Sequence, residues 1–236
     1  MNESRVKSVD TTPQRITRNT YCIGGPNITD PEDAFVYLVD LNGHLVLIDA
    51  GLGRSTDRIL ANIKTLGLDP SKIELLVLTH EHADHVGGAA PLQARLKFKI
   101  AAHELAVRAI SQGDPIATAA NYYHMNVPPT PIDVPLRKDA GEVPISKGEL
   151  RYLHIPGHTP GSIVLYFKDG DRRVLFGQDL HGPFNTAWGS DVKQWRTSMK
   201  LVQALQADIL CEGHYGVYRG KSAVRQFIHG LLAQIS

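Results

Sequence analysis

The stretch Leu75–Gly88, LLVLTHEHADHVGG, constrains the chain more than any other. Leu75, Leu76, Val77 and Leu78 form a short continuous apolar run, the pattern of a strand buried on both faces. Polar chemistry then begins at once, with His80, His82, Asp84 and His85. In an extended backbone, side chains at i and i+2 project to the same side, so His80 and His82 can grip one ion together. Asp84 and His85 fall where the chain turns toward Gly87 and Gly88, and their side chains can diverge to a second ion. Imidazole and carboxylate donors suit zinc, iron and manganese.

The run Thr79 to Gly88, T-H-E-H-A-D-H-V-G-G, closely resembles the signature of the metallo-β-lactamase fold superfamily. That resemblance implies a four-layer αββα sandwich and demands further motifs in a fixed order. Ile48-Asp49-Ala50-Gly51 resembles the first, which would place Asp49 behind the metal ligands; an aspartate opening a turn before Gly51 is the plainer reading. The turn Pro156-Gly157-His158-Thr159-Pro160-Gly161-Ser162 holds a rigidly aimed histidine between prolines and glycines, and GHTPGS resembles the third motif. Asp179, ending Gly177-Gln178-Asp179, stands where the family places a bridging carboxylate, and His214, in Glu212-Gly213-His214-Tyr215, resembles the last ligand.

Carried over position by position, the resemblance gives His80, His82 and His158 to a first divalent ion. Asp84, His85 and His214 go to a second, and Asp179 bridges the two. Zinc is the first expectation, with iron or manganese compatible. Two divalent ions bring more positive charge than the carboxylates return, so a bridging water should lose a proton near neutral pH and serve as the nucleophile. The leaving group could be protonated by that water, by Asp84, or by a pocket tyrosine or histidine. His181 follows Asp179 closely and is either a pocket residue, hence a catalytic candidate beside Asp84, or a loop histidine.

The rest of the chain supplies alternating elements. Residues 1 to 18 form a lead-in or a first strand. FVYLVDL and HLVLID are β-rich and joined through Asn42-Gly43, a pair favoured in type I′ hairpins. Ile59, Ile63 and Leu66 recur at helical spacing before Gly67, which predicts a helix over 55–66. A short helix over 88–95, a strand over 98–102 and a helix over 103–111 come next, with His103 heading the last as a partly exposed structural histidine. Residues 113–135 are irregular, and Tyr122, Tyr123, His124 and Met125 form either a wall over a substrate pocket or a satellite packing cluster. Strands are expected over 150–155, 163–167, 173–176 and 207–211. A helix over 190–205 turns Val192, Trp195, Met199 and Val202 inward, with Lys193, Arg196 and Lys200 as a solvated stripe or an anion-binding wall. A last helix carries Val224, Phe227, Ile228, Leu231 and Ile235. Strands then helices, twice over, fit two sheets between helix layers.

A chain of 236 residues, 42% hydrophobic, can bury a substantial core as one domain over 1–236. A net charge of +1 with mixed signs gives no footprint for duplex nucleic acid. The opening segment lacks an apolar signal region and no run approaches a membrane span, so a soluble cytoplasmic protein is expected, with a small-molecule substrate and a homodimer compatible. Cys22 and Cys211 are too few for a disulfide framework. An aspartate at 179, where β-lactamases of this fold usually carry cysteine, speaks against antibiotic hydrolysis. The motif set looks more like the glyoxalase II group and the related lactonases, although glyoxalase II continues into a helical domain that the short stretch after His214 does not supply. A hydrolase of a small ester, thioester or lactone is the leading expectation. Alternatives are an iron-dependent persulfide dioxygenase, using a single ion at the His80, His82, His158 and Asp179 cluster, and a non-catalytic metal-binding protein of the same fold.

Overall fold

The computed structural model describes residues 11–235. In chain order its elements are β1 (Gln14–Arg15), β2 (Thr20–Gly24), β3 (Val36–Leu41), β4 (His44–Ile48), α1 (Thr56–Thr65), β5 (Ile73–Val77), α2 (Ala83–Val86), α3 (Ala89–Leu96), β6 (Lys99–His103) and α4 (Glu104–Gln112). The second half runs β7 (Val134–Leu136), β8 (Ala140–Glu142), β9 (Arg151–His154), β10 (Ile163–Asp169), β11 (Arg172–Gly177), α5 (Val192–Ala204), β12 (Ile209–Glu212), β13 (Val217–Arg219) and α6 (Lys221–Gln234). A seven-stranded sheet takes β1 to β7 in sequence order, and a six-stranded sheet runs β13-β12-β11-β10-β9-β8. The lead-in expected over 1–18 is met by β1 where it falls within the described residues; residues 1–10 lie outside them.

Three apolar clusters define four layers. One lies between the first sheet and α1, α3 and α4, and includes Leu38, Leu47, Ile59, Ile63, Leu76, Leu92 and Ile110. The middle one lies between the sheets, where Tyr37, Val39, Val46, Ile48 and Val77 meet Leu165, Val174 and Phe176. The third lies under α5 and α6, with Val164, Leu175, Trp195, Met199 and Ile228. Alternate residues of β3 and β4 enter different clusters, so both faces of these strands are buried and their sequences read as unbroken apolar runs. This is the αββα sandwich.

Local chemistry places the elements near where the pattern predicts them. Asn42 and Gly43, at φ +58° and +84°, turn β3 into β4 with the left-handed geometry a two-residue hairpin needs. The helix predicted over 55–66 is α1, and that predicted over 190–205 is α5, whose N-terminal Asp191 accepts from the backbone N–H of Lys193 and Gln194. The short β7, β8 and β13 and the single-turn α2 have no counterpart in the sequence pattern, because three or four residues carry no readable period. Lys193 and Lys200 are exposed, while Arg196 donates to the carbonyl of Ile235 at the end of α6, so the basic stripe is largely solvated.

One expectation is corrected. His103 is 3% exposed, not partly exposed. It stacks on His154 with ring centroids 3.8 Å apart, and its Nδ1 faces the Leu105 N–H at 3.4 Å at the start of α4. Burial and the neighbouring imidazole push it down to about 4, which keeps the ring neutral and the cap acceptor available.

Two parallel pairings bring the polar segments of the chain together. β4 lies parallel to β5, and β11 parallel to β12. Parallel neighbours end on the same side, so the residues after β4 and β5, and those after β11 and β12, emerge together at one edge of the sandwich.

Candidate metal centre

The segment after β5 is clamped to the turn after β4. Ala50 N–H donates to the His85 carbonyl at 2.8 Å and Gly88 N–H to the Gly51 carbonyl at 3.0 Å. A Cβ on Gly88 would stand 2.1 Å from the Ala50 oxygen, so the glycines closing the motif permit this approach. Asp49 has φ +58°, a region where aspartate is tolerated better than most residues, and its buried carboxylate sits beneath the histidines. Oδ1 accepts from the Thr79 N–H at 2.8 Å. Oδ2 accepts from Thr79 Oγ1 at 2.7 Å and Gln178 Nε2 at 2.8 Å, and faces His85 Nδ1 at 2.7 Å.

Donor atoms of His80, His82, His158 and Asp179 all lie within 4.8 Å of one another, and so do those of Asp84, His85 and His214. Asp179 faces both sets. Its Oδ2 lies 3.3 Å from His158 Nε2 and 3.7 Å from His80 Nε2. Its Oδ1 lies 3.0 Å from His214 Nε2 and 3.2 Å from His85 Nε2. Asp84 Oδ2 completes the second set at 3.3 Å from His214 Nε2 and 3.5 Å from His85 Nε2. Every histidine and aspartate singled out by the motifs as a ligand is therefore brought to one place.

The outer ring edges are tied down. His80 Nδ1 meets Thr79 Oγ1 at 3.2 Å, His85 Nδ1 meets Asp49, and His158 Nδ1 donates to the Pro183 carbonyl at 2.7 Å. This leaves Nε2 of each facing the centre. There, the Nε2 atoms of His80, His82 and His85 are buried with no hydrogen-bond partner among the described residues, and His82 Nδ1 and His158 Nε2 stand 2.9 Å apart. Buried lone pairs converging without donors are costly unless a cation joins them. The donor set thus fits metal ions.

Electrostatics agree. Burial and neighbouring imidazoles drive His80 and His82 well below the ordinary histidine value. Burial alone would lower His85 and His214 too, but the carboxylates of Asp179 and Asp84 outweigh it, lifting His85 well up and His214 to about 9. Burial would raise Asp179, yet His214 and His85 hold it well below the usual carboxylate range.

Several contributing residues are not evident from the sequence. Glu81, between two histidines of the motif, is buried; its carboxylate accepts from Thr159 Oγ1 at 2.7 Å, joining this loop to the His158 turn, and burial pushes it up to about 7. Its only signal is a charged residue inside an otherwise buried stretch. Glu212, fully buried, accepts from the His214 and Tyr215 N–H groups at 2.7 and 2.8 Å and pairs with His181 Nδ1 at 2.7 Å. His181 lies at the centre, its donor atom within 4.8 Å of those of Asp179 and His214. Of the irregular segment, Tyr123 and Met125 pack against the first core cluster, and Tyr122 is exposed. Tyr123 also places its phenol by Asp84, and burial with the Asp84 and Asp179 carboxylates pushes that phenol up. Of the two readings for this segment, packing is the one these contacts meet, through Tyr123 and Met125.

An αββα sandwich with two contiguous His/Asp donor sets at its strand-end edge defines a class of metal-dependent proteins. The chain belongs to the metallo-beta-lactamase superfamily, whose family model matches residues 29–214. It is 27% identical to a probable metallo-hydrolase of Bacillus subtilis (strain 168) over 71% of this chain and 74% of that protein. A hydroxyacylglutathione hydrolase of Methylococcus capsulatus is 30% identical over 82% of this chain and 67% of its own length. A human acyl-coenzyme A thioesterase is 29% identical over 62% and 58%. Among solved structures, a metallo-beta-lactamase of Cronobacter sakazakii matches with TM-score 0.80 and 21% identity, over 94% of this chain and 92% of that one, a likeness of fold. The relatives are hydrolases of this superfamily, and the His/Asp groups imply divalent metal ions. Among the described residues no helix is long and apolar enough to cross a membrane.

Proposed function

We propose that this chain is a binuclear metallohydrolase that cleaves a small ester, thioester or lactone. The observation that carries the reading is Asp179, whose two oxygens each face a different donor set. His80, His82 and His158 would hold one ion and Asp84, His85 and His214 the other, with Asp179 between; zinc is the first expectation. Bound there, divalent ions lower the pKa of a water into the neutral range and polarise a carbonyl. The protein's own groups do the rest. Asp49, Thr79 and the Pro183 carbonyl fix ring orientation, and Asp84, beside Tyr123, can accept the proton released as water attacks. His181, with Nδ1 engaged by Glu212, keeps Nε2 for the departing sulfur or oxygen. The relatives that act on hydroxyacylglutathione and acyl-coenzyme A support a thioester.

The completed second set favours this over a dioxygenase, for which the first set alone would suffice. Elemental analysis of purified protein, with thioester, lactone and phosphodiester turnover measured with and without oxygen, tests it. Two ions per chain and oxygen-independent thioester or lactone hydrolysis are expected. One iron with oxygen consumption would establish the persulfide dioxygenase instead, and retained metal with no turnover a binding protein.

A further inference from the structure

Each side of the donor cluster carries an aromatic ring. Trp188 stands edge-on to His82 with centroids 4.7 Å apart, and Phe184 lies 6.4 Å from His158. Tyr123 stands beside Asp84, with Tyr122 edge-on to it at 5.3 Å. Tyr215 packs edge-on to His181 at 4.8 Å. Tyr123 and Phe184 also pack on the core, but Tyr122 and Tyr215 are 76% and 58% exposed and Trp188 is half-buried outside the core clusters. Partly open aromatics around a reacting centre are unsatisfied apolar surface.

The most central of them is held rigidly. The loop 183–191 is sewn to the His158 turn by the bond from His158 Nδ1 to the Pro183 carbonyl, by Ser190 Oγ donating to the His158 carbonyl at 2.6 Å, and by Asp191 N–H donating to the Gly157 carbonyl at 2.8 Å. Trp188 therefore keeps its place over His82 without a substrate, which removes an ordering cost from binding.

We infer that the substrate's acyl group is uncharged and apolar and lies against Trp188 and the neighbouring rings, rather than bearing a carboxylate or phosphate. This rests on the hydrolase reading for the bond cleaved, but the binding preference is separable from the chemistry. The probes are ketone isosteres of N-acetylcysteamine thioesters, with CH2 in place of sulfur, in acetyl, butyryl, hexanoyl and succinyl forms. Binding to metal-loaded protein is read by isothermal titration calorimetry, which reports equally on wild type and on variants lacking Trp188. Affinity should rise about two- to fourfold per methylene from acetyl to hexanoyl, and succinyl should bind more weakly than butyryl. Trp188→Ala should flatten the series, with Trp188→Phe restoring most of the slope. The matching thioesters are then assayed for hydrolysis. Preserved chain-length dependence without turnover would remove the hydrolase reading and leave the apolar site standing. A flat series, tighter succinyl binding, or an unchanged slope in Trp188→Ala with metal content intact would overturn the inference.

Discussion

Asp49→Asn tests whether the carboxylate beneath the histidines governs the second donor set. Asparagine keeps the shape and tolerates the φ of +58° at this position, so backbone strain does not confound the result. The wild-type carboxylate meets donors on both oxygens: the Thr79 N–H on one, and Thr79 Oγ1, Gln178 Nε2 and His85 Nδ1 on the other. Whichever way the amide is turned, its NH2 faces at least one of these donors in a fully buried site. A stranded buried donor costs about 1–3 kcal/mol, and the lost charge assistance adds to it, so about 3 kcal/mol is expected in all. In a chain of this size that lowers Tm by about 6–12 °C. His85 loses the anchor for its Nδ1, so affinity for the ion held by Asp84, His85 and His214 should fall about 10- to 100-fold. Chelator competition followed by elemental analysis reads the affinity, and thermal unfolding reads the stability. A full metal complement at wild-type affinity would refute the assigned role of Asp49, whatever happened to Tm.

Other contacts yield further expected outcomes. Gly157 has φ +141° and a Cβ there would lie 2.4 Å from the backbone of Trp195, so Gly157→Ala should cost about 2–4 kcal/mol in urea unfolding and lower metal content by displacing His158; a loss under about 1 kcal/mol would contradict this. His103 binds a proton less readily folded, at about 4, than unfolded, at about 6.5, so its stabilisation is complete above pH 6.5 and is lost as pH falls toward 4. About 2–3 kcal/mol of this is lost between pH 7 and 4.5, and His103→Asn, which keeps a cap acceptor, should reduce the stability difference between those pH values by that amount. Stripping divalent metal leaves the buried Nε2 atoms of His80, His82 and His85 without a partner, and zinc added at about 100 times its Kd should restore about 2.7 kcal/mol, read as a rise in Tm; no response to zinc, manganese or iron would contradict the donor set's fit.

The legible part of this molecule is the part whose cause is local. His80, His82, Asp84 and His85 are readable because a strand followed by a turn fixes where neighbouring side chains go, and that geometry is written in their spacing. His158, Asp179 and His214 are readable through motifs that each end a strand. Glu81, Glu212 and His103 are not, since nothing in their own segments says that Thr159, His181 and His154 will pack on them. The same divide runs through the site. Its ligands sit just beyond strand ends, those after β5, β11 and β12 on parallel pairs and His158 after the antiparallel β9, where sheet pairing dictates register, whereas Trp188 and Tyr123 lie on connections without a period to read. Donor geometry tolerates little variation if metal is to bind, while the surrounding rings meet only the substrate and can change with it. A sequence of this fold therefore discloses how water is activated more readily than what the water attacks, and substitutions that alter substrate preference without changing metal affinity should fall at Trp188, Phe184 and Tyr122 before any histidine.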